Sequence, residues 1–216
     1  MHQLSESAFR KVLIALALYI TSLLAANTLG MKTMPFFFDL HLSVGVFMFP
    51  VVFLMTDVIG EVYGKKMAKM FVLAGIVSTV LWILYNFISL AVPWSDTTHF
   101  AFGAYETVFG TSIRIAIASV IAFAVAEYQD VISFFFFKRT VKSGGFAVRS
   151  NLSNLWSQFL DTVLFMVIAF LGVMPLPMLV SVIFTWWLFK VGMGVVYTPL
   201  AYLGIRLMKD KNENAG

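Results

Sequence analysis

The sequence predicts an all-α polytopic membrane protein: a bundle of six transmembrane helices with both termini in the cytoplasm. The first observation is composition, because 60% of the 216 residues are hydrophobic, 12% are charged and the mean hydropathy is +0.90. The second is that apolar runs of about 20 residues, the length that crosses a bilayer, recur along the whole chain. The third is that basic residues cluster at alternate ends of these runs.

The predicted spans are apolar runs bounded by charged residues, proline or glycine, at residues 12–29, 44–63, 70–92, 111–137, 152–173 and 178–207. The first run follows Arg10 and Lys11 but lacks a good signal-peptide cleavage site, so it is predicted to be an uncleaved helix. The last run is long enough to tilt or break. Residues 93–110 are predicted to be an ordinary connecting loop, the alternative being a segment that lies in the membrane interface or caps a cavity. No linker is longer than residues 138–151, which predicts a single integral membrane domain, residues 1–216.

The orientation follows from the lysines and arginines. Twelve of the 15 lie at one set of span ends, only Lys32 lies in the opposite loops, and Arg114 and Lys190 fall within spans. Cytoplasmic loops carry the excess of basic residues, so both termini are predicted to lie inside the cell. This predicts a multi-pass protein of the cytoplasmic membrane, surrounded by lipid. Topology explains the basic residues better than nucleic-acid binding does.

Several kinds of site are excluded by composition. The chain has no cysteine, and its three histidines are scattered, so neither a metal site nor a cofactor is predicted. No P-loop is present. Asp57 and Asp161 are available for an intramembrane aspartyl protease, but the GxGD context that such a protease needs is missing. The sequence therefore predicts a protein that is not an enzyme.

Apart from Arg206, which is counted among the span ends, seven charged residues fall within the predicted spans, five acids and two bases. Each costs about 2.5–3.5 kcal/mol near the bilayer centre, so such residues usually face a cavity or pair with one another. Because acids outnumber bases, complete pairing is impossible. Arg114 lies roughly 140–160° round the fourth span from Glu127 and Asp130, so it is predicted to find its acid on another helix.

Two of these acids, Asp57 and Glu61, are about 40° apart on the second span and share one face. Something must offset their repulsion: a cation, a lysine such as Lys65, protonation of one carboxyl group, or a ligand that donates hydrogen bonds. Gly60 and Gly64 are predicted to let another helix approach closely. The competing interpretation is a helix end with snorkelling acids. Gating or coupling is the predicted role of four acids in the second and fourth spans, namely Asp57, Glu61, Glu127 and Asp130.

The fifth span carries a polar stripe, because Asn151, Asn154, Gln158 and Asp161 fall within roughly 80° of one face. Amide and carboxylate groups suit the edge of a heterocycle better than a bare ion. The alternative is interhelical hydrogen bonding, worth about 1 kcal/mol per contact. Asp161 lies at a depth comparable to that of Lys190, and a buried ion pair between them is the simplest neutralisation.

Three sequence blocks carry a resemblance to a known family. In chain order the matching features are Asn27, Lys32, FPVVFLMTDVIGEVYG at 49–64, RIAIASVIAFAVAEYQDV at 114–131, SNLWSQFLDTVLFMVIAF at 153–170, Lys190 and Pro199. They resemble the YhhQ-type queuosine precursor transporters, also called the vitamin uptake transporter family. The resemblance implies import of 7-deazaguanine bases such as preQ0 or preQ1 across the cytoplasmic membrane, for salvage into tRNA queuosine.

The resemblance also implies a binding site for a small-molecule base. A guanine-like base presents N1–H and its exocyclic amine as adjacent donors, so a carboxylate can accept both, and Asp161 is the first candidate. Amides can read the O6 and N7 side, and aromatic rings such as those of Trp156, Phe159, Trp186 or Trp187 can stack on the base. The residues implied in substrate binding are Asp161, Gln158, Asn154, Asn27, Lys190, Arg114 and Trp156.

One alternative within transport is a substrate-binding subunit of an energy-coupling-factor vitamin or base importer, resembling that system's S-component. Such a subunit has a similar size and about six helices, and it would need a separate ATPase module. The sequence leaves open whether two copies form a homodimer.

Overall fold

Six long helices make up most of the described chain, and the computed structural model describes residues 5–35, 41–140 and 145–208. Side chains are described within these ranges except at residues 65, 123–124, 126–139, 145–154, 157, 194–195 and 197–198. The helices are α1 (Glu6–Leu29), α2 (Phe49–Tyr63), α3 (Lys65–Ala91), α4 (Phe102–Thr140), α5 (Gly145–Phe170) and α6 (Leu176–Met208). Each predicted span overlaps one of them.

Five segments of the described residues are long and apolar enough to cross a membrane: Glu6–Leu29, Val44–Tyr63, Lys66–Ala91, His99–Ala122 and Leu176–Met193. The described part of α5 adds the shorter apolar segment Gln158–Phe170. Large apolar side chains such as Ile14, Leu84 and Leu188 are exposed on the outside of the bundle, as contact with lipid requires. The protein is therefore a multi-pass membrane protein, and the count of six spans stays a prediction.

A short β-hairpin between α1 and α2 is an exception to the all-helical prediction. Its two strands are β1 (Thr33–Pro35) and β2 (His41–Ser43), and the 3₁₀ helix Val44–Phe47 follows them. The buried Ser43 hydroxyl donates to the Gly30 carbonyl at 2.7 Å and accepts from the Gly45 N–H at 3.1 Å. These bonds fix the hairpin against the end of α1.

One predicted loop is shorter than expected, and the last predicted span is unbroken. Residues 93–110 contain the 3₁₀ helix His99–Ala101 and the first turns of α4, which begins at Phe102. Trp94 packs edge-on against Phe102 and Tyr105, with ring centroids 5.7 and 5.3 Å apart, and so holds this start in place. At the other end of the bundle, α6 continues through Pro199 and does not break there.

Gly64 forms the turn between α2 and α3. Its φ of +84° lies in the left-handed region that favours glycine, and an added Cβ would meet nothing within 4 Å. The prediction that Gly64 belongs to a close-packing seam is therefore wrong. Gly60 does face α3, because its added Cβ would lie 3.5 Å from the Ala68 Cβ.

The two ends of the bundle can be distinguished by their contacts. The Lys11 ammonium and the Tyr63 hydroxyl both donate to the Met208 carbonyl, at 3.5 and 3.3 Å, so α1 begins where α2 and α6 end. We call this the termini end and the opposite end, which holds β1 and β2, the hairpin end. Each end has an apolar core, built around Trp186 at the hairpin end and Tyr19 at the termini end. Which end faces the cytoplasm stays a prediction.

Candidate functional site

A cavity of about 690 Å³ lies among the helices, and all six helices contribute to its wall. This volume falls within the range of roughly 300–1,000 Å³ that is usual for small-molecule sites. Four charged residues line it, namely Asp57, Glu61, Asp161 and Lys190. In the described part of the chain no group of three or more His, Cys, Asp or Glu could hold a metal ion.

One face of α2 forms a large part of the wall. Its lining residues follow the three- and four-residue spacing of a single helical stripe and are Phe49, Val52, Phe53, Thr56, Asp57, Gly60 and Glu61. The prediction that Asp57 and Glu61 share a face is confirmed, and that face borders the cavity. Their predicted role in gating stays a prediction.

Asp161 and Lys190 join α5 to α6 across the cavity wall. The Lys190 ammonium donates to Asp161 Oδ2 at 2.7 Å, which confirms the predicted ion pair. The side chains are 14% exposed for Lys190 and 27% exposed for Asp161. Because an ammonium has three donors and a carboxylate about four lone-pair positions, the pair keeps hydrogen-bonding capacity for a ligand.

Aromatic and charged residues divide the cavity in two. Trp186 lies one helical turn before Lys190, and Phe165 lies one turn after Asp161 on a helix that runs the opposite way. The Phe49 ring meets the buried Trp186 ring edge-on, with centroids 5.7 Å apart. The aromatic half, toward the hairpin end, contains Phe49, Phe53, Phe165 and Trp186. The charged half, toward the termini end, contains Asp57, Glu61, Asp161 and Lys190.

Other residues of the predicted α5 stripe do not reach this wall. Gln158 is exposed and does not line the cavity, since it lies about 60° round the helix from Asp161. Trp156 is 45% exposed and likewise does not line the cavity, where Trp186 is the tryptophan present. The side chains of Asn151, Asn154, Glu127 and Asp130 lie outside the described set.

Arg114 lies at the hairpin end, away from the cavity wall. Its Nε donates to the Ile168 carbonyl at 2.8 Å and its Nη2 to the Leu171 carbonyl at 2.5 Å. Among the described residues Arg114 thus meets carbonyls rather than the predicted acid. The last carbonyls of a helix lack internal partners and carry the negative end of its dipole, which explains why α5 can hold a guanidinium.

Asn27 is a second predicted residue outside the cavity wall. It is 1% exposed, and its Nδ2 has no hydrogen-bond partner within the described residues. It lies eight residues beyond Tyr19 on α1, about 80° round the helix from it. Buried donors without partners are rare and costly, so Asn27 remains a candidate for contacts made in another conformation or with a ligand.

Sequence reasoning missed the hydroxyl groups of the cavity, which belong to Tyr19, Thr56, Thr79 and Ser119. Thr and Ser are ordinary in membrane helices and gave no signal. Tyr19 did give a signal in the sequence, because tyrosine usually lies at the membrane interface whereas Tyr19 falls in the middle of an apolar run. Its ring fits against Gly75, where an added Cβ would lie 2.6 Å from the Tyr19 hydroxyl oxygen.

Comparison with known proteins gives two curated relatives. The "Probable queuosine precursor transporter" of Bacillus subtilis (strain 168) is 27% identical over 191 residues, which cover 88% of this chain and 82% of the relative. The "Queuosine precursor transporter" of Escherichia coli (strain K12) is 28% identical over 170 residues, which cover 79% of this chain and 74% of the relative. No solved structure matches.

A family model described as "Putative vitamin uptake transporter" matches residues 43–204, well over half of the chain. The match covers α2, the charged and aromatic halves of the cavity and nearly all of α6. Because the family consists of transporters, the prediction that the chain is not an enzyme is confirmed. The chain belongs to the vitamin uptake transporter family.

Proposed function

We propose that this protein imports queuosine precursors, 7-deazaguanine bases such as preQ0 and preQ1, across the cytoplasmic membrane for salvage into tRNA queuosine. The names of two relatives support the substrate class. The observation that carries the proposal is the Asp161–Lys190 ion pair, beside Trp186, in a cavity bordered by all six helices.

The ion pair matches the hydrogen-bonding edge of a guanine-like base. Such a base offers N1–H and its exocyclic amine as adjacent donors, with O6 as the neighbouring acceptor. The Asp161 carboxylate accepts from both donors, and the Lys190 ammonium donates to O6. Because the pair is neutral as a whole, it can receive a neutral ring without leaving a charge uncompensated.

The aromatic half of the cavity suits the faces of the base. The buried Trp186 meets Phe49 edge-on and so supports the partly exposed Phe49 ring, against which a planar base can pack. A volume of about 690 Å³ accommodates a fused bicyclic base together with water.

The test is uptake and binding of labelled preQ0 and preQ1. Cells that lack their own queuosine synthesis and express the protein should accumulate label. Asp161→Asn replaces an acceptor-only group by a mixed one, and losing a hydrogen bond to a charged group costs about 1.5–3 kcal/mol, which is a tenfold or larger loss of affinity. Asp96→Asn, an exposed acid outside the cavity, is the matched control and should bind normally.

Two results would contradict the proposal. Absence of label in cells with the unaltered protein would remove the substrate class. Unchanged binding by a normally expressed Asp161→Asn protein would remove Asp161 from the site. The energy-coupling-factor alternative instead requires an ATPase module, so uptake into liposomes containing only this chain would exclude it.

A further inference from the structure

The charged half of the cavity contains more acids than bases. Asp161 is engaged with Lys190 at 2.7 Å, while α2 adds the carboxylates of Asp57 and Glu61 to the same wall. Lys66 and Lys69, on the first turns of α3, are exposed and do not line the cavity, and the side chain of Lys65, the predicted partner of these acids, lies outside the described set. Among the described lining residues, three acids therefore face one base.

This imbalance is costly inside a membrane. Asp57 and Glu61 are exposed along the cavity wall, and a carboxylate there is stable, once a substrate shields it from water, only when it is paired or hydrogen-bonded. Two carboxylates one helical turn apart also repel each other. A cation that enters the cavity relieves both costs.

We infer that Asp57, assisted by Glu61, binds a protonated amine on the substrate, so that the site prefers a 7-deazaguanine with an aminoalkyl arm to one with a neutral substituent. The inference rests on the proposed function and specifies which member of that substrate class fits best. preQ1 carries an aminomethyl group at position 7, which is protonated at neutral pH, whereas preQ0 carries an uncharged nitrile.

The helix geometry places Asp57 at a suitable depth. Helices α2 and α6 both run from the hairpin end to the termini end, and Phe49 on α2 contacts Trp186 on α6. Measured from that contact, Lys190 is four residues along its helix and Asp57 is eight, about 6 and 12 Å. A base whose amide edge lies at Lys190 can therefore direct its substituent toward Asp57, about 6 Å nearer the termini end.

Binding of preQ1 and preQ0 to the purified full-length protein tests this inference. The unaltered protein should bind preQ1 about tenfold more tightly than preQ0, the effect of one charge-assisted contact. Asp57→Asn should abolish that preference by weakening preQ1 alone. Asp57→Glu, which keeps the carboxylate, should retain it, as should the control Asp96→Asn. Glu61→Gln should reduce the preference by a smaller factor.

The measurement separates this inference from the proposed function. Retained preQ0 binding by Asp57→Asn also reports that the variant is folded. Equal affinities in the unaltered protein, or equal losses for both bases in Asp57→Asn, would overturn the role of Asp57 while the proposed function stands. If added sodium made preQ0 bind as tightly as preQ1, and Asp57→Asn abolished that gain, the cation that Asp57 binds would be inorganic and the inference would be wrong. Failure of both bases to bind the unaltered protein would remove the proposed function itself.

Discussion

The hairpin end and the termini end of the bundle are held by different contacts. At the hairpin end, three side chains donate to carbonyls at the ends of α1 and α5, over 2.5–3.2 Å; they are Ser43, Ser112 and Arg114. At the termini end, Lys11 and Tyr63 reach the Met208 carbonyl at 3.5 and 3.3 Å. Among the described hydrogen bonds those of the hairpin end are the shorter, and because hydrogen bonds weaken as they lengthen, we expect the hairpin end to be the more firmly held.

The comparison extends to the cavity. Its aromatic half adjoins the firmly held end, and its charged half adjoins the end with longer contacts. A transporter must expose its site to one side of the membrane at a time, through two states of similar free energy. The termini end is therefore the side that we expect to open first from this conformation.

The largest effect is expected from Arg114→Leu, which removes the two strongest contacts of the hairpin end. The bond to Ile168 is partly buried and the bond to Leu171 is exposed, so the first should count more. Hydrogen bonds to charged groups contribute about 1.5–3 kcal/mol each, and the free energy of unfolding should fall by about 3 kcal/mol. Arg114→Lys should be intermediate, since lysine keeps the charge but not the two-pronged geometry. Unfolding of the detergent-solubilised protein measures this.

The matched control for that change is Arg10→Leu, at the exposed start of α1. It should alter the free energy of unfolding by less than about 0.5 kcal/mol, as most surface changes do. Equal effects of Arg114→Leu and Arg10→Leu would show that the carbonyl contacts of Arg114 do not stabilise the hairpin end.

The second prediction compares the loss of one hydroxyl group at each end of the bundle, and its effect on the free energy of unfolding should be smaller than that of Arg114→Leu. Ser43→Ala leaves a buried carbonyl and a buried N–H without their partner and should cost about 2 kcal/mol. Tyr63→Phe removes a hydroxyl whose bond to the Met208 carbonyl is longer, at 3.3 Å, and only partly buried, so it should cost less than Ser43→Ala. If the two changes lowered the unfolding free energy equally, the comparison between the ends would fail.

A smaller loss than that of Ser43→Ala is expected from Gly75→Ala, in the cavity wall at the termini end. The added Cβ would lie 2.6 Å from the Tyr19 hydroxyl oxygen and 2.8 Å from its Cε1, so the ring must move. Overpacking costs about 1–3 kcal/mol and the better helix propensity of alanine returns up to about 1, which leaves a net loss of about 1 kcal/mol.

Gly110→Ala provides the control for this overpacking, because an added Cβ at that position of α4 would meet nothing within 4 Å. It should raise the unfolding free energy slightly. Combining Gly75→Ala with Tyr19→Phe, which removes the closest atom, should recover part of the loss. A Gly75→Ala protein as stable as Gly110→Ala would mean that Tyr19 does not need this glycine.

The features that the sequence predicted correctly depend on spacing within one helix or on charge balance. The helices overlap the predicted spans because apolar length is a local property. Asp57 and Glu61 share a face because four residues make about one turn. The Asp161–Lys190 pair followed from two opposite charges at matching depth, since a lone charge in lipid is costly.

The features that it missed depend on how helices turn toward one another. Spacing alone could not decide whether α5 presents Trp156 or α6 presents Trp186 to the cavity, because the rotation of a helix about its axis is set by its neighbours. Arg114 was expected to find an acid, but helix-end carbonyls also attract a cation and leave no mark in the sequence. The β-hairpin is too short to show a two-residue period.

Pro199 makes α6 locally more flexible. Proline has no N–H to donate to the carbonyl four residues earlier, so the helix is least stiff there. Beyond it, Gly204 lies so close to α2 that an added Cβ would be 2.8 Å from Val58 Cγ2. We therefore expect bending of the last turns of α6 to press on Val58, and so to shift the neighbouring carboxylate of Asp57 on α2.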